Sequence, residues 1–181
     1  MPDSIEGRIK EAIKQRGAIH MTLLDPQKTG AKRSAEMASE AEKGGTFAIM
    51  VGGSTLASKN DLDAGVQKIK AHVDIPVILF PNDIAGVSKY ADAIWFMSLL
   101  NSRLTYYIID AQAMAAYTVK SYGLEAMPLG YIIIGSGGTV GYVGQARGIP
   151  YDRSELATAY ALASQMLGTR FIYLEAGSGA K

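Results

Sequence analysis

Residues 171–181 read "FIYLEAGSGAK". An apolar run ends in a carboxylate, Glu175, and small residues follow at Ala176, Gly177, Ser178 and Gly179. The pattern predicts a buried strand that delivers an acid and a glycine-rich turn at its C-terminal end. Successive backbone amides in such a turn form a concavity that binds anions, and a strand-end carboxylate is placed to take a proton from a hydroxyl. A plain strand-end turn explains the same residues, so the motif is decided by its company.

Outward from this stretch the chain alternates strand and helix signals. Apolar runs at 18–24, 47–51, 75–80, 93–100, 129–135 and 171–175 predict six strands. Helical signals fall at 5–16, 31–44, 61–72, 105–123 and 151–167, with glycines near their ends. The runs are nearly continuous rather than alternating, as in parallel strands covered on both faces. Alternating βα units give a doubly wound sheet or a barrel. Both architectures place their sites at strand C-terminal ends. Asp25, Ser54, Asn82, Asn101 and Glu175 stand there.

Composition excludes several classes. Hydrophobic residues make up 48%, too many for a disordered chain. With 18 basic against 17 acidic residues, no basic surface for nucleic acid is expected. The chain has no cysteine, which removes disulfides and thiolate metal sites and fits a cytoplasmic protein. The charged N-terminus is not a secretory signal, and no stretch reaches the roughly 20 apolar residues of a membrane span.

Two further strand ends carry candidate chemistry. In "HMTLLDPQKTG", 20–30, Asp25 precedes a proline that fixes the turn; it reads as a magnesium ligand or general base, or as an Asp-Pro turn. Lys28 lies within reach of an anionic group, and His20 reads as a satisfied core histidine. In "VGGST", 51–55, two glycines admit close backbone approach, and Ser54 offers a hydroxyl to phosphate or magnesium. The large apolar stretches "AIWFMSLLNS" and "LTYYIIDAQAMAAY" suit either a hydrocarbon groove or ordinary core.

Taken in order, "HMTLLDPQK", "VGGST", "PVILFPND", "ADAIWFMSLLNS", "YIIIGSGGTVGYVGQARGIP" and "YLEAGSG" resemble the geranylgeranylglyceryl phosphate synthase family and its bacterial heptaprenyl relatives. The resemblance implies a TIM (βα)8-type barrel and a magnesium-dependent prenyltransferase. Such an enzyme joins a polyprenyl diphosphate to the 3-hydroxyl of sn-glycerol 1-phosphate, releases diphosphate, and serves ether-lipid synthesis. By family motif Asp25 and Ser54 are the magnesium positions, and Tyr173, Leu174, Glu175, Ala176, Gly177, Ser178 and Gly179 hold glycerol phosphate. Glu175 and Asp25 are the expected catalytic residues, with Lys28 near the substrate. Trp95, Phe96, Tyr106 and Tyr107 are expected to keep water from an allylic cation. The resemblance further implies homo-oligomers and transient proximity to membranes.

The family continues past "YLEAGSG" with two more strands, which carry a Gly-Gly loop and a Gly-Asn pair. Residues 1–181 are therefore expected to form one barrel domain truncated before strands seven and eight, with six of eight strands and unpaired edges on strands one and six. Two other readings stay open at this point: a sugar-phosphate isomerase using Asp25 and Glu175 as acid and base, and a non-catalytic fragment.

Overall fold

The computed structural model describes residues 4–53 and 59–177. Six strands follow one another in chain order within one sheet: β1 (Met21–Leu24), β2 (Ala48–Gly52), β3 (Val77–Phe80), β4 (Ala93–Leu99), β5 (Glu125–Ile133) and β6 (Phe171–Glu175). The pairs β1–β2, β2–β3, β3–β4 and β5–β6 are all parallel. Consecutive residues of β3, Val77, Ile78 and Leu79, are each fully buried. Consecutive strand residues point to opposite faces, so both faces of this strand are covered, as its continuous apolar run requires.

The helices are α1 (Ile5–Arg16), α2 (Pro26–Thr29), α3 (Ala31–Lys43), α4 (Lys59–Lys70), α5 (Ala111–Ser121), α6 (Gly138–Val143) and α7 (Ser154–Met166). Two compact units divide the chain. The first holds residues 1–95 and 117–126; the second holds 96–116 and 127–181.

Three expectations are refined. The helix foreseen over 105–123 begins as a π-helix, Tyr106–Asp110, before α5. Ser98 Oγ donates to Ile108 O at 2.7 Å, and Gln112 Nε2 reaches back to Tyr107 O at 3.3 Å. Side-chain bonds of this kind open the helical ladder. The glycine-rich segment 136–150 contains α6 rather than an open loop. Its glycines serve chain crossing: a Cβ at Gly148 meets Gly135 O at 1.7 Å, and one at Gly141 meets Ser136 O at 2.0 Å. His20 is exposed rather than in the core, although it is satisfied, with Nδ1 at 2.8 Å from Thr46 Oγ1.

In the first unit, three carboxylates at the N-terminal side of the strands bind main-chain amides. Glu42 Oε1 accepts from Asp74 N and Ile75 N at 3.0 and 3.1 Å. Asp92 accepts from Val77 N at 2.8 Å and pairs with Lys70, both oxygens at 2.8 Å. Glu125 accepts from Ile5 N at 2.6 Å and Glu6 N at 2.9 Å, at the start of α1. These are two of the four amides a helix N-terminus leaves without partners, and the negative charge also suits the helix dipole.

Replacing Glu125 by Ala leaves both amides without this acceptor. We expect about 1–3 kcal/mol of destabilisation by urea unfolding, and faster hydrogen exchange at the first turn of α1. Glu125→Gln keeps one acceptor and loses less. Unfolding midpoints equal to the parent's would contradict this account of α1.

Candidate active site

Asp25 caps α2 directly after β1. Its Oδ1 accepts from Gln27 N at 3.1 Å, and its carbonyl accepts from the amides of Lys28 and Thr29. Pro26 occupies the first helical position, where a missing N–H does no harm. The other carboxylate oxygen, Oδ2, is buried and accepts no hydrogen bond; its neighbour is Lys28 Nζ at 3.5 Å, on a side chain that is itself 61% exposed. A buried carboxylate oxygen without a hydrogen bond is costly, and this one has only the Lys28 ammonium beside it.

The two glycines of "VGGST" carry distinct jobs. A Cβ at Gly52 meets Phe80 O at 2.5 Å, so this residue lets β2 and β3 approach. A Cβ at Gly53 meets Asp25 Oδ1 at 2.9 Å, so an empty position there leaves room for the carboxylate. Beside them a shallow, solvent-open depression is lined by Gln27, Gly53, Pro81, Asn82, Asp83 and Gly86 among others. Ser54 lies outside the described residues. No group of three or more His, Asp or Glu that would hold a metal ion occurs among the described residues. One carboxylate nevertheless suits magnesium, which commonly keeps waters and takes substrate phosphate oxygens.

In the second unit, Glu175 ends β6. Its Oε2 accepts from the Tyr131 hydroxyl at 3.2 Å and its Oε1 from Gly177 N at 2.5 Å. Its carbonyl accepts from Ile134 N at 2.8 Å, and its Cα is in register with Ile133 on β5. Both carboxylate oxygens and the main chain are therefore fixed. Gly177 has φ +101°, a conformation open to glycine, and a Cβ there meets Gly138 N at 2.7 Å. Tyr173 packs edge-on against Tyr131, ring centroids 5.1 Å apart. Leu174, at 60% exposure, points to the face opposite Tyr173 and Glu175, and Ile172 is exposed on that face too, so β6 is covered on one face only and is not the buried strand its apolar run predicts. Ser178 and Gly179 lie outside the described residues.

Tyr131 is a site residue that sequence reading missed, because the apolar run "LGYIIIG" conceals its phenol among core side chains. It is 6% exposed. Burial, then the charge and hydrogen bond of Glu175, push its phenol well above the ordinary tyrosine range. Burial and then Glu175 raise Tyr173 in the same direction. Asn101, a further strand-end residue, proves structural: fully buried, it donates to Ile133 O and Arg147 O at 2.9 Å each and accepts from Ile133 N at 3.0 Å. Trp95 is buried, while Phe96, Tyr106 and Tyr107 are half-buried, and Tyr106 stacks edge-on with Tyr107.

A parallel βα fold with acids and glycine turns at strand C-terminal ends defines a barrel-type enzyme scaffold. The sequence profile of the PcrB family matches residues 10–181, and the chain belongs to that family. It is 51% identical to the geranylgeranylglyceryl phosphate synthase of Methanothrix thermoacetophila, over 98% of this chain and 69% of that protein. Identity to the synthase of Methanosphaera stadtmanae is also 51%, over 98% of this chain and 72% of the relative. The fold matches the crystal structure of (S)-3-O-geranylgeranylglyceryl phosphate synthase from Thermoplasma acidophilum in complex with substrate sn-glycerol-1-phosphate. That match has a TM-score of 0.93 and 41% identity, over 97% of this chain and 71% of the other. The fold class is thus the α/β, TIM-barrel type, with six parallel strands among the described residues.

The raised phenols set an alkaline prediction. A free tyrosine ionises near pH 10. The folded state holds these protons more tightly than the unfolded state does. Their contribution to stability is complete below about pH 10 and is lost as the pH rises beyond it. Tyr131→Phe should therefore lose less stability between pH 8 and pH 11 than the parent in urea unfolding. Equal losses would remove Tyr131 from this role.

Proposed function

We propose that this protein is a prenyltransferase that joins a polyprenyl diphosphate, geranylgeranyl diphosphate in particular, to the 3-hydroxyl of sn-glycerol 1-phosphate. The observation that carries this reading is the match to a synthase solved with sn-glycerol-1-phosphate, at 41% identity and TM-score 0.93. The family's "YLEAG" and "LLDPQK" stand at the ends of β6 and β1. The product is an ether that serves membrane-lipid synthesis. Ether formation adds a hydroxyl oxygen to an allylic carbon, and no step of it calls for a second metal or a redox cofactor.

In the transfer, C1 of the prenyl chain loses its bond to the diphosphate oxygen, which leaves with the electron pair. C1 gains a bond to the glycerol oxygen, whose proton passes to the Glu175 carboxylate. Tyr131 and Gly177 N hold that carboxylate by one oxygen each, so the base is oriented before substrate arrives. The backbone of 173–179 binds glycerol phosphate, with its glycines toward the phosphate. Asp25 and Ser54 are the residues that would hold magnesium, and the ion would supply charge neutralisation for the diphosphate leaving group. Lys28, beside Asp25, adds a positive charge toward the same leaving group. Half-buried Phe96, Tyr106 and Tyr107 exclude water from the allylic carbon.

The substrates are a lipid diphosphate and a polar phosphate, so we place the enzyme in the cytoplasm, working near the membrane and as a homo-oligomer. Among the described residues no helix is long and apolar enough to cross a membrane.

Turnover of labelled glycerol phosphate with geranylgeranyl diphosphate, with and without magnesium, tests the reading. Product forms only with magnesium. Asp25→Asn should fold yet lower kcat about 100-fold or more. Glu175→Gln should lower kcat more than it raises KM for glycerol phosphate, since a base acts mainly in the transition state. Unchanged turnover in Asp25→Asn at saturating magnesium removes the metal role. A rise in KM alone makes Glu175 a binding residue only.

A further inference from the structure

We infer that Gly65, on the buried face of α4, is a positioning residue for the metal end of the site, an inference that rests on Asp25 holding magnesium. The contact that carries it is between Gly65 and Pro26. A Cβ built at Gly65 stands 2.7 Å from Pro26 Cβ and 3.1 Å from Pro26 Cγ. Real side chains do not approach so closely, so one of the two helices has to yield.

Which side yields follows from how each is held. Along its buried face α4 carries Leu62, Val66 and Ile69, and it packs on α3. Asp63 of the same helix accepts from the hydroxyl of fully buried Ser88 at 2.5 Å. By contrast α2 is a single turn of four residues. Pro26 is the opposing group, and its ring cannot rotate out of the way, because the pyrrolidine is fused to the main chain. A displaced Pro26 therefore carries the main chain of Asp25 with it.

Asp25 has little tolerance for such a shift. Its Oδ1 is shared between Gln27 N and the space that Gly53 leaves, and its Oδ2 is buried without an N–H partner. Two missing side chains thus bracket the carboxylate from opposite ends: Gly53 touches the acid itself, and Gly65 seats the proline behind it. Groups that orient a ligand commonly change metal affinity 10–100-fold when altered.

A plain helix residue predicts the reverse. Alanine favours a helix interior over glycine, so a Gly65 without a positioning role would be improved or unaffected by the change. The test is Gly65→Ala, titrated with Mn²⁺ by electron paramagnetic resonance in the presence of inorganic diphosphate, beside the parent and Asp25→Asn. Calorimetric titration with glycerol phosphate is run on the same samples. We expect Gly65→Ala to bind Mn²⁺ about tenfold more weakly and glycerol phosphate within twofold of the parent. Folded Gly65→Ala with parental Mn²⁺ affinity overturns the inference. If Asp25→Asn also binds Mn²⁺ like the parent, the metal role of Asp25 falls first. Should Gly65→Ala not fold, Pro26→Ala opens the same contact by removing the ring. It should weaken Mn²⁺ binding in the same direction, and unchanged affinity there is equally fatal.

Discussion

A parallel strand buried on both faces has nowhere to put a polar side chain except at its ends. That constraint holds for the central strands, whereas β1 and β6 leave Leu23, Ile172 and Leu174 exposed. Val77, Ile78 and Leu79 fill both sides of β3, and Ala48, Ile49 and Val51 do the same on β2. Burying an unpaired charge in such a layer is prohibitive. Acids are therefore driven to the two rims, and the rims differ in chemistry. At the N-terminal side, Glu42, Asp92 and Glu125 have their oxygens on amides or a lysine. At the C-terminal side, the buried Oδ2 of Asp25 accepts no hydrogen bond, and only the largely exposed Lys28 ammonium, 3.5 Å away, faces it.

Glu175 is an intermediate case. Both of its oxygens accept a hydrogen bond, yet one donor is a phenol rather than a main-chain amide. An amide donor is fixed, whereas a hydroxyl can turn. A carboxylate accepts through about four lone-pair sites, so acceptor capacity remains beside these two partners. The tyrosine also ties β5 to β6 beside the register pair Ile133 and Glu175, and rigidity at this point is what a positioned base requires.

The parallel architecture was legible because apolar runs and glycine stops are local signals. Strand and helix order follows from them directly, and "YLEAG" and "LLDPQK" stand at strand ends as expected. Details that depend on approach between distant segments were not legible. Gly65 and Pro26 meet only once α2 and α4 pack. Tyr131 looks like any core aromatic until β6 is laid beside it. The glycines of 136–150 look like an open loop in one dimension, yet Gly141 and Gly148 are spent on close main-chain approach. The π-helix at Tyr106–Asp110 follows from side-chain bonds of Ser98 and Gln112 that no propensity encodes. His20 sits beside a strand yet faces solvent, because β1 begins at Met21, three residues later than the run 18–24 suggests.

The central claim is that a strand-end carboxylate delivers the glycerol oxygen to the prenyl carbon, with cleavage on the carbon side of the diphosphate. The most direct measurement uses sn-glycerol 1-phosphate carrying ¹⁸O at the 3-hydroxyl, incubated with geranylgeranyl diphosphate and magnesium, with mass analysis of both products. The account predicts that the label appears wholly in the ether and that released diphosphate carries none. Label in the released diphosphate, or no ether at all, would contradict it.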